Sequence, residues 1–151
     1  MKKSMKMISP TGLGIRSDGG GDGHFGAPRT KTKNKKPFHY EHKGTDFLCK
    51  PGQDVVAPVF GKIVRIAYPY PDKEYSGLVI DADWIKIKLF YIEPIKSAVG
   101  KTLYPGEQIG IAQDISKRYP DHGILAHVHL EIIKVTLNPE DYLIDPTYSR
   151  F

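Results

Sequence analysis

The segment Trp84-Ile85-Lys86-Ile87-Lys88-Leu89-Phe90 alternates apolar and polar residues, the period of a strand with one face buried. Ile85, Ile87 and Leu89 are expected on that buried face. The rest of the chain has the same grain, in short β-branched runs interrupted by 12 prolines and 15 glycines. Residues 54–58, 62–68, 77–82 and 108–112 read as further strands,. The first two join at Phe60-Gly61. Pro69-Tyr70-Pro71-Asp72 marks a loop and Pro105-Gly106-Glu107 a turn,. Residues 114–120 have room for one helical turn, but no stretch keeps a helical period. The fold class expected is mainly β, an antiparallel sheet without internal repeats.

At 151 residues the chain can bury a core as one domain,. Its 40% hydrophobic and 26% charged residues match a soluble globular class and exclude a disordered one,. No apolar run is long enough to span a bilayer. Residues 1–22, with Gly19-Gly20-Gly21-Asp22 near their end, are expected as an irregular N-terminal arm, leaving residues 23–151 as the domain,. Met1-Lys2-Lys3 is basic without an apolar stretch behind it, so no secretory signal is expected,. Cys49 is the one cysteine, which rules out an internal disulfide and fits synthesis in a reducing cytoplasm,. A net charge of +5 favours an anionic partner such as nucleic acid, cell-wall polymer or membrane surface,. The basic run 29–36 carries no interleaved aromatics to stack on bases,. It is expected as a solvated loop, and no specific nucleic acid as a partner.

Chemistry concentrates in Ala126-His127-Val128-His129-Leu130-Glu131. In a strand, His127, His129 and Glu131 would share one face, with Val128, Leu130 and Ile132 on the other. One strand rarely completes a zinc site, which takes about three protein ligands plus an open position when catalytic. His42 and Asp46, in His42-Lys43-Gly44-Thr45-Asp46, are the natural completion. Fully extended, positions four apart lie about 13 Å from each other. The chain must therefore fold back between them, and Gly44 is best able to allow it. The alternative is ordinary packed or surface histidines.

These residues also resemble a family. His42-x-x-x-Asp46, Gly52-Gln53-Asp54-Val55-Val56-Ala57-Pro58-x-x-Gly61-x-Ile63-Val64, Gly106-Glu107-x-Ile109-Gly110 and His127-x-His129 occur in the order found in the lysostaphin and LytM zinc endopeptidases. The likeness covers roughly residues 23–143 and implies a groove lined by antiparallel sheet, with cleavage of peptide bridges in bacterial peptidoglycan. A narrower resemblance is to the leukocyte cell-derived chemotaxin branch. It is carried by His42 through Cys49, by Phe90-Tyr91-Ile92-Glu93-Pro94-Ile95 and by Tyr119-Pro120.

The likeness implies His42, Asp46 and His129 as zinc ligands. It implies His127 as a catalytic group that accepts the water's proton or stabilises the oxyanion. The family's second catalytic histidine is replaced by Glu93. Continuing the strand's phase from Leu89 and Tyr91 would bring Glu93 to the groove as a possible base, with an exposed strand-end acid as the alternative. Chemotaxin-like members also lack that histidine, and by resemblance they bind zinc without peptidase activity. They carry disulfides, which Cys49 alone cannot form. Glu131 is expected either to orient a ligand or to form a structural pair. His39 is expected as a loop residue near the groove mouth, or as a substitute ligand. Tyr40, Tyr70 and Tyr75 are candidate groove walls, while His24 and His122 have no assigned role.

Two readings follow. The first is a zinc endopeptidase acting on peptidoglycan peptides, carried out of the cytoplasm by lysis or on a phage tail or similar injection particle. The second is a zinc-binding module without hydrolysis that recognises wall polymer or a protein partner, and Glu93 favours it.

Overall fold

The computed structural model describes residues 7–83 and 85–135. Thirteen strands and two 3-10 turns follow in chain order, with no α-helix among the described residues. β1 (Ser17–Asp18) and β2 (Gly21–Asp22) form a small hairpin, and β3 (Pro28–Lys33) and β4 (Lys36–Glu41) a longer one. Then come β5 (Thr45–Leu48), β6 (Asp54–Val56), β7 (Gly61–Ala67), β8 (Gly77–Asp81), β9 (Ile85–Phe90) and β10 (Ile92–Pro94). β11 (Thr102–Leu103), β12 (Gln108–Ala112) and β13 (His127–Val135) complete the set. The 3-10 turns are Lys96–Ala98 and Ile115–Arg118. Asp114 caps the second by accepting from the Ser116 amide, which satisfies a donor the turn leaves unpaired.

The main sheet has six antiparallel strands in the order β11-β7-β8-β9-β13-β5, and a second has the order β10-β12-β6. Alternation sorts their side chains as the sequence predicts. Ile85, Ile87 and Leu89 of β9 are buried and alternate with half-buried Lys86, Lys88 and Phe90. Leu78, Ile80, Ile87, Leu89 and Val128 from the main sheet meet Val55, Ile92 and Ile109 from the small sheet in one core. Each such aliphatic side chain taken from water contributes about 1.5–3 kcal/mol. The core therefore holds β9 and β13 rigidly together, and the other face of β13 carries the histidines.

Two segments differ from the sequence-based expectation. The run 29–36 is not a loop: it forms most of the β3–β4 hairpin, whose turn residues Asn34 and Lys35 have φ of 52° and 62°. Two positive-φ residues between strands make the hairpin turn whose twist matches that of strands, and asparagine tolerates it well. Residues 14–23 in turn run alongside β5. The Leu48 and Asp46 amides donate to Gly14 and Gly23 carbonyls at 2.8 Å, and the Arg16 amide donates to the Asp46 carbonyl at 2.9 Å. The segment thereby covers an otherwise open sheet edge. Among the described residues no helix is long and apolar enough to cross a membrane.

Candidate metal centre

β13 lies between β9 and β5, and its register sets His129 opposite both Asp46 and Phe90. Cross-strand partners share a face, so Asp46 and His129 meet on the groove side. His42 follows β4 and is pinned by its backbone, its amide donating to Ala27 O and its carbonyl accepting from the Gly26 amide, both at 2.8 Å. Gly44 makes the return from His42 to Asp46. A Cβ there would fall 2.5 Å from both His129 Cε1 and the Leu130 carbonyl oxygen. Close approach to β13, rather than an unusual φ, requires glycine here.

Three donor atoms converge as a result. His42 Nε2 lies 3.2 Å from His129 Nδ1 and 3.3 Å from Asp46 Oδ1, and the last two are 3.0 Å apart. Tetrahedral ligands about 2.0–2.1 Å from a zinc ion are about 3.3 Å from one another, so this triangle is close to one face of such a site. The outer nitrogens decide which atoms can ligate. His42 Nδ1 is 3.1 Å from His24 O, so it must donate to that carbonyl, and Nε2 keeps its lone pair,. His129 Nε2 donates to Glu131 Oε1 at 3.1 Å, which turns the Nδ1 lone pair inward,. Two imidazole lone pairs and a carboxylate oxygen aimed at one point need a cation or a proton between them. The residues fit a metal ion.

His127 stands beside the triangle. Its Nδ1 donates to Leu125 O at 2.8 Å, and its Nε2 lies 3.6 Å from Asp46 Oδ2. The Tyr91 ring meets the His127 ring edge-on, centroids 5.3 Å apart, and limits its rotation. Behind Asp46 lies Arg16, a buried residue for which the sequence offered no signal. Its Nε donates to Asp46 Oδ2 at 3.0 Å and its Nη1 to Asp18 Oδ1 at 2.8 Å. Holding Oδ2 leaves Oδ1 for the centre.

Burial by itself raises the Asp46 pKa. The His129 and His42 rings that close on it outweigh burial and hold the carboxyl well below the usual range. Burial lowers His129, but the hydrogen bonds to Asp46 and Glu131 win and its pKa is raised. In the metal-free protein a proton on Nδ1 can therefore occupy the gap that a metal would fill. Burial dominates at His127 and lowers its pKa, which favours the neutral ring with a lone pair on Nε2. Tyr91 is pushed up to about 12, mainly by burial, and remains a neutral phenol.

The centre opens into a groove of about 490 Å³, lined by Tyr70, Tyr91 and Tyr119 together with Arg29, Tyr40 and Lys43. Tyr70 and Tyr119 share a hydroxyl hydrogen bond of 2.8 Å. Tyr75 stands behind Tyr70 and Tyr91, touching both rings edge-on. His122 lines the groove. His39 is exposed on the hairpin, 3.0 Å from Thr30 Oγ1, and is not brought to the centre.

Glu93 is not brought there either. β9 ends at Phe90, and Tyr91 takes φ of 72°, which breaks the strand's alternation. The chain then joins the small sheet, where Ile92 enters the core and Glu93, opposite Ile111, faces solvent. Extrapolating the phase of β9 through Tyr91 therefore does not hold.

No family model matches the sequence. Leukocyte cell-derived chemotaxin-2 of Bos taurus is 38% identical over 112 residues, spanning 73% of this chain and 69% of the relative. The Mus musculus protein of that name is 36% identical over 116 residues, 76% of this chain and 69% of the relative. Among solved structures, lysostaphin in solution superposes with a TM-score of 0.54 at 19% identity, over 91% of this chain and 51% of lysostaphin. The chain thus spans about half of that protein. LytU superposes with a TM-score of 0.52 at 20% identity, over 97% of this chain and 84% of LytU. The structural likeness establishes a shared fold, and on sequence the chain belongs to the leukocyte cell-derived chemotaxin-2 family.

Proposed function

We propose that this protein is a zinc metalloendopeptidase that hydrolyses peptide bonds in bacterial peptidoglycan. The observation that carries the reading is the triangle of His42 Nε2, Asp46 Oδ1 and His129 Nδ1, with Nε2 of His127 at its side. The ordered motifs shared with the lysostaphin and LytM enzymes support the substrate class, as does the net positive charge of +5 against an anionic wall,.

A zinc ion bound by His42, Asp46 and His129 supplies Lewis acidity, polarising a carbonyl and acidifying a water. The protein's own groups do the rest. His127 Nε2 accepts the proton of the attacking water, and its Nδ1 bond to Leu125 O supports the imidazolium that forms,. Arg16 holds Asp46 Oδ2 and so keeps the carboxylate oriented throughout. The groove walls hold the peptide so that its carbonyl meets the centre, which converts an encounter into an ordered reaction.

A second reading is favoured by Glu93, which stands where the family's second catalytic histidine would be and faces solvent. In it, the same centre belongs to a zinc-binding module that recognises wall polymer or a protein partner without cutting. Zymograms on purified peptidoglycan, run for wild type, His127→Ala and Glu93→Ala alongside zinc analysis, separate the two. Clearing lost in His127→Ala and kept in Glu93→Ala supports hydrolysis. Zinc bound stoichiometrically with no clearing by wild type overturns it in favour of the second reading.

A further inference from the structure

A second depression, about 600 Å³, adjoins the groove and shares with it Tyr40, His42, Lys43 and Glu131. Its remaining walls are Phe25, Ile132, Ile133 and Glu41, so three large apolar side chains line it with the Glu41 carboxylate at its edge. Phe25 is 74% exposed and Ile132 47% exposed. Apolar surface in one concave patch beside a candidate reactive centre marks a ligand site more than a packing defect.

The patch is built rather than incidental. Phe25 sits between His24, whose carbonyl accepts from His42 Nδ1 at 3.1 Å, and Gly26, whose amide donates to the His42 carbonyl at 2.8 Å. The backbone presenting Phe25 is thus fixed to the residue that presents a metal-type donor. Ile132 is a departure from pattern. By alternation it belongs with Val128 and Leu130, which are 0% and 6% exposed. The pairing of β13 with β9 shifts register between Ile132 and Lys134, however. Such a bulge re-aims side chains beside functional sites. The pairing with β5 stops at Leu130, so no strand of β5 covers Ile132.

We infer that this trough is a specificity subsite that takes a bulky apolar side chain, aliphatic or aromatic, of a peptide lying along the groove. The inference rests on the groove being a peptide site. A peptide spanning both depressions passes over His42 and Glu131 and has one side chain turned down between Phe25 and Ile132. A glycine-only peptide leaves the trough filled with water. Burying one large apolar side chain there tightens binding by about ten- to a hundredfold relative to glycine.

The test uses the zinc-loaded full chain and a set of glycine hexapeptides carrying a single Leu, Phe or Lys at each position in turn. Binding is measured by calorimetry and cleavage by mass spectrometry, for wild type and for Phe25→Ser/Ile132→Ser. The expected result is a ten- to hundredfold preference for Leu or Phe over both Gly and Lys at one position. In the double variant the Leu-to-Gly affinity ratio falls toward one. Equal affinity for all the peptides, or a preference that survives the double variant, overturns the subsite. Preference without cleavage keeps the subsite and removes the hydrolytic reading. Cleavage without preference does the reverse, and no binding of any peptide removes both.

Discussion

Arg16 Nε donates to Asp46 Oδ2 across 3.0 Å, and both side chains are buried. The same guanidinium reaches Asp18 Oδ1, so one cation serves two buried carboxylates, with Arg29 Nη2 a further 3.9 Å from Asp46 Oδ2. Breaking a buried pair by removing one partner costs about 3–5 kcal/mol, because the remaining charge is left uncompensated. Arg16→Ala is therefore expected to lower Tm by about 10 °C or more in chelator. The loss should be smaller with zinc present, since a metal ion neutralises Asp46 from its other side. Differential scanning calorimetry with and without zinc measures this; an equal loss under both conditions would contradict the coupling.

Gly44→Ala places a methyl group against His129 Cε1 and the Leu130 carbonyl, both 2.5 Å from the ideal Cβ. The carbonyl belongs to β13 and cannot move aside cheaply. Overpacking of this kind costs about 1–3 kcal/mol, and here it also displaces a ligand. Gly52→Ala is the contrast: its φ of +85° makes any side chain strained, yet no atom lies within 4 Å of its Cβ. Both variants should lose stability, but only Gly44→Ala should lose zinc affinity in competition titrations.

Glu131 accepts from His129 Nε2 and pairs with Lys88 at 3.6 Å. Its own pKa is lowered, first by the His129 hydrogen bond. Removing a carboxylate that orients a ligating imidazole typically weakens metal binding by about 10–100-fold. Glu131→Ala should show that loss by calorimetry while retaining a native circular dichroism spectrum. Unchanged affinity would mean that Glu131 serves structure alone.

The pH dependence has a definite sign. The raised His129 pKa stabilises the metal-free protein below the unfolded value, which is about 6.5 for histidine, and that contribution is lost as pH rises through the folded pKa,. The lowered Asp46 pKa acts oppositely: its stabilisation is full above the ordinary carboxylate value and is lost progressively as pH falls from there toward the folded pKa,. Zinc requires the unprotonated His129 Nδ1. The zinc-induced increase in Tm should therefore grow from pH 6 toward pH 8. An increase that shrinks over this range would contradict a proton and a metal competing for one gap.

Much of this arrangement was legible because strand alternation is a local property. Ile85, Ile87 and Leu89 declared their buried face, and the shared parity of His127, His129 and Glu131 carried over into β13. What local pattern could not convey was set by backbone reversals and distant partners. A positive φ at Tyr91 turned Glu93 away, and β5 stops pairing with β13 at Leu130, short of the exposed Ile132. Arg16, thirty positions before Asp46, reached it only because residues 14–23 lie against β5. The hairpin at Asn34 and Lys35 is a different case, since its lysine-rich composition is that of a solvated loop while its turn residues suit a two-residue reversal.

The most direct measurement is anomalous scattering at the zinc edge from crystals of the zinc-loaded protein. The account predicts one strong peak about 2.0–2.2 Å from His42 Nε2, Asp46 Oδ1 and His129 Nδ1 together, with His127 Nε2 close by but not bonded. No peak within that triangle, or zinc held only by other residues, would contradict it.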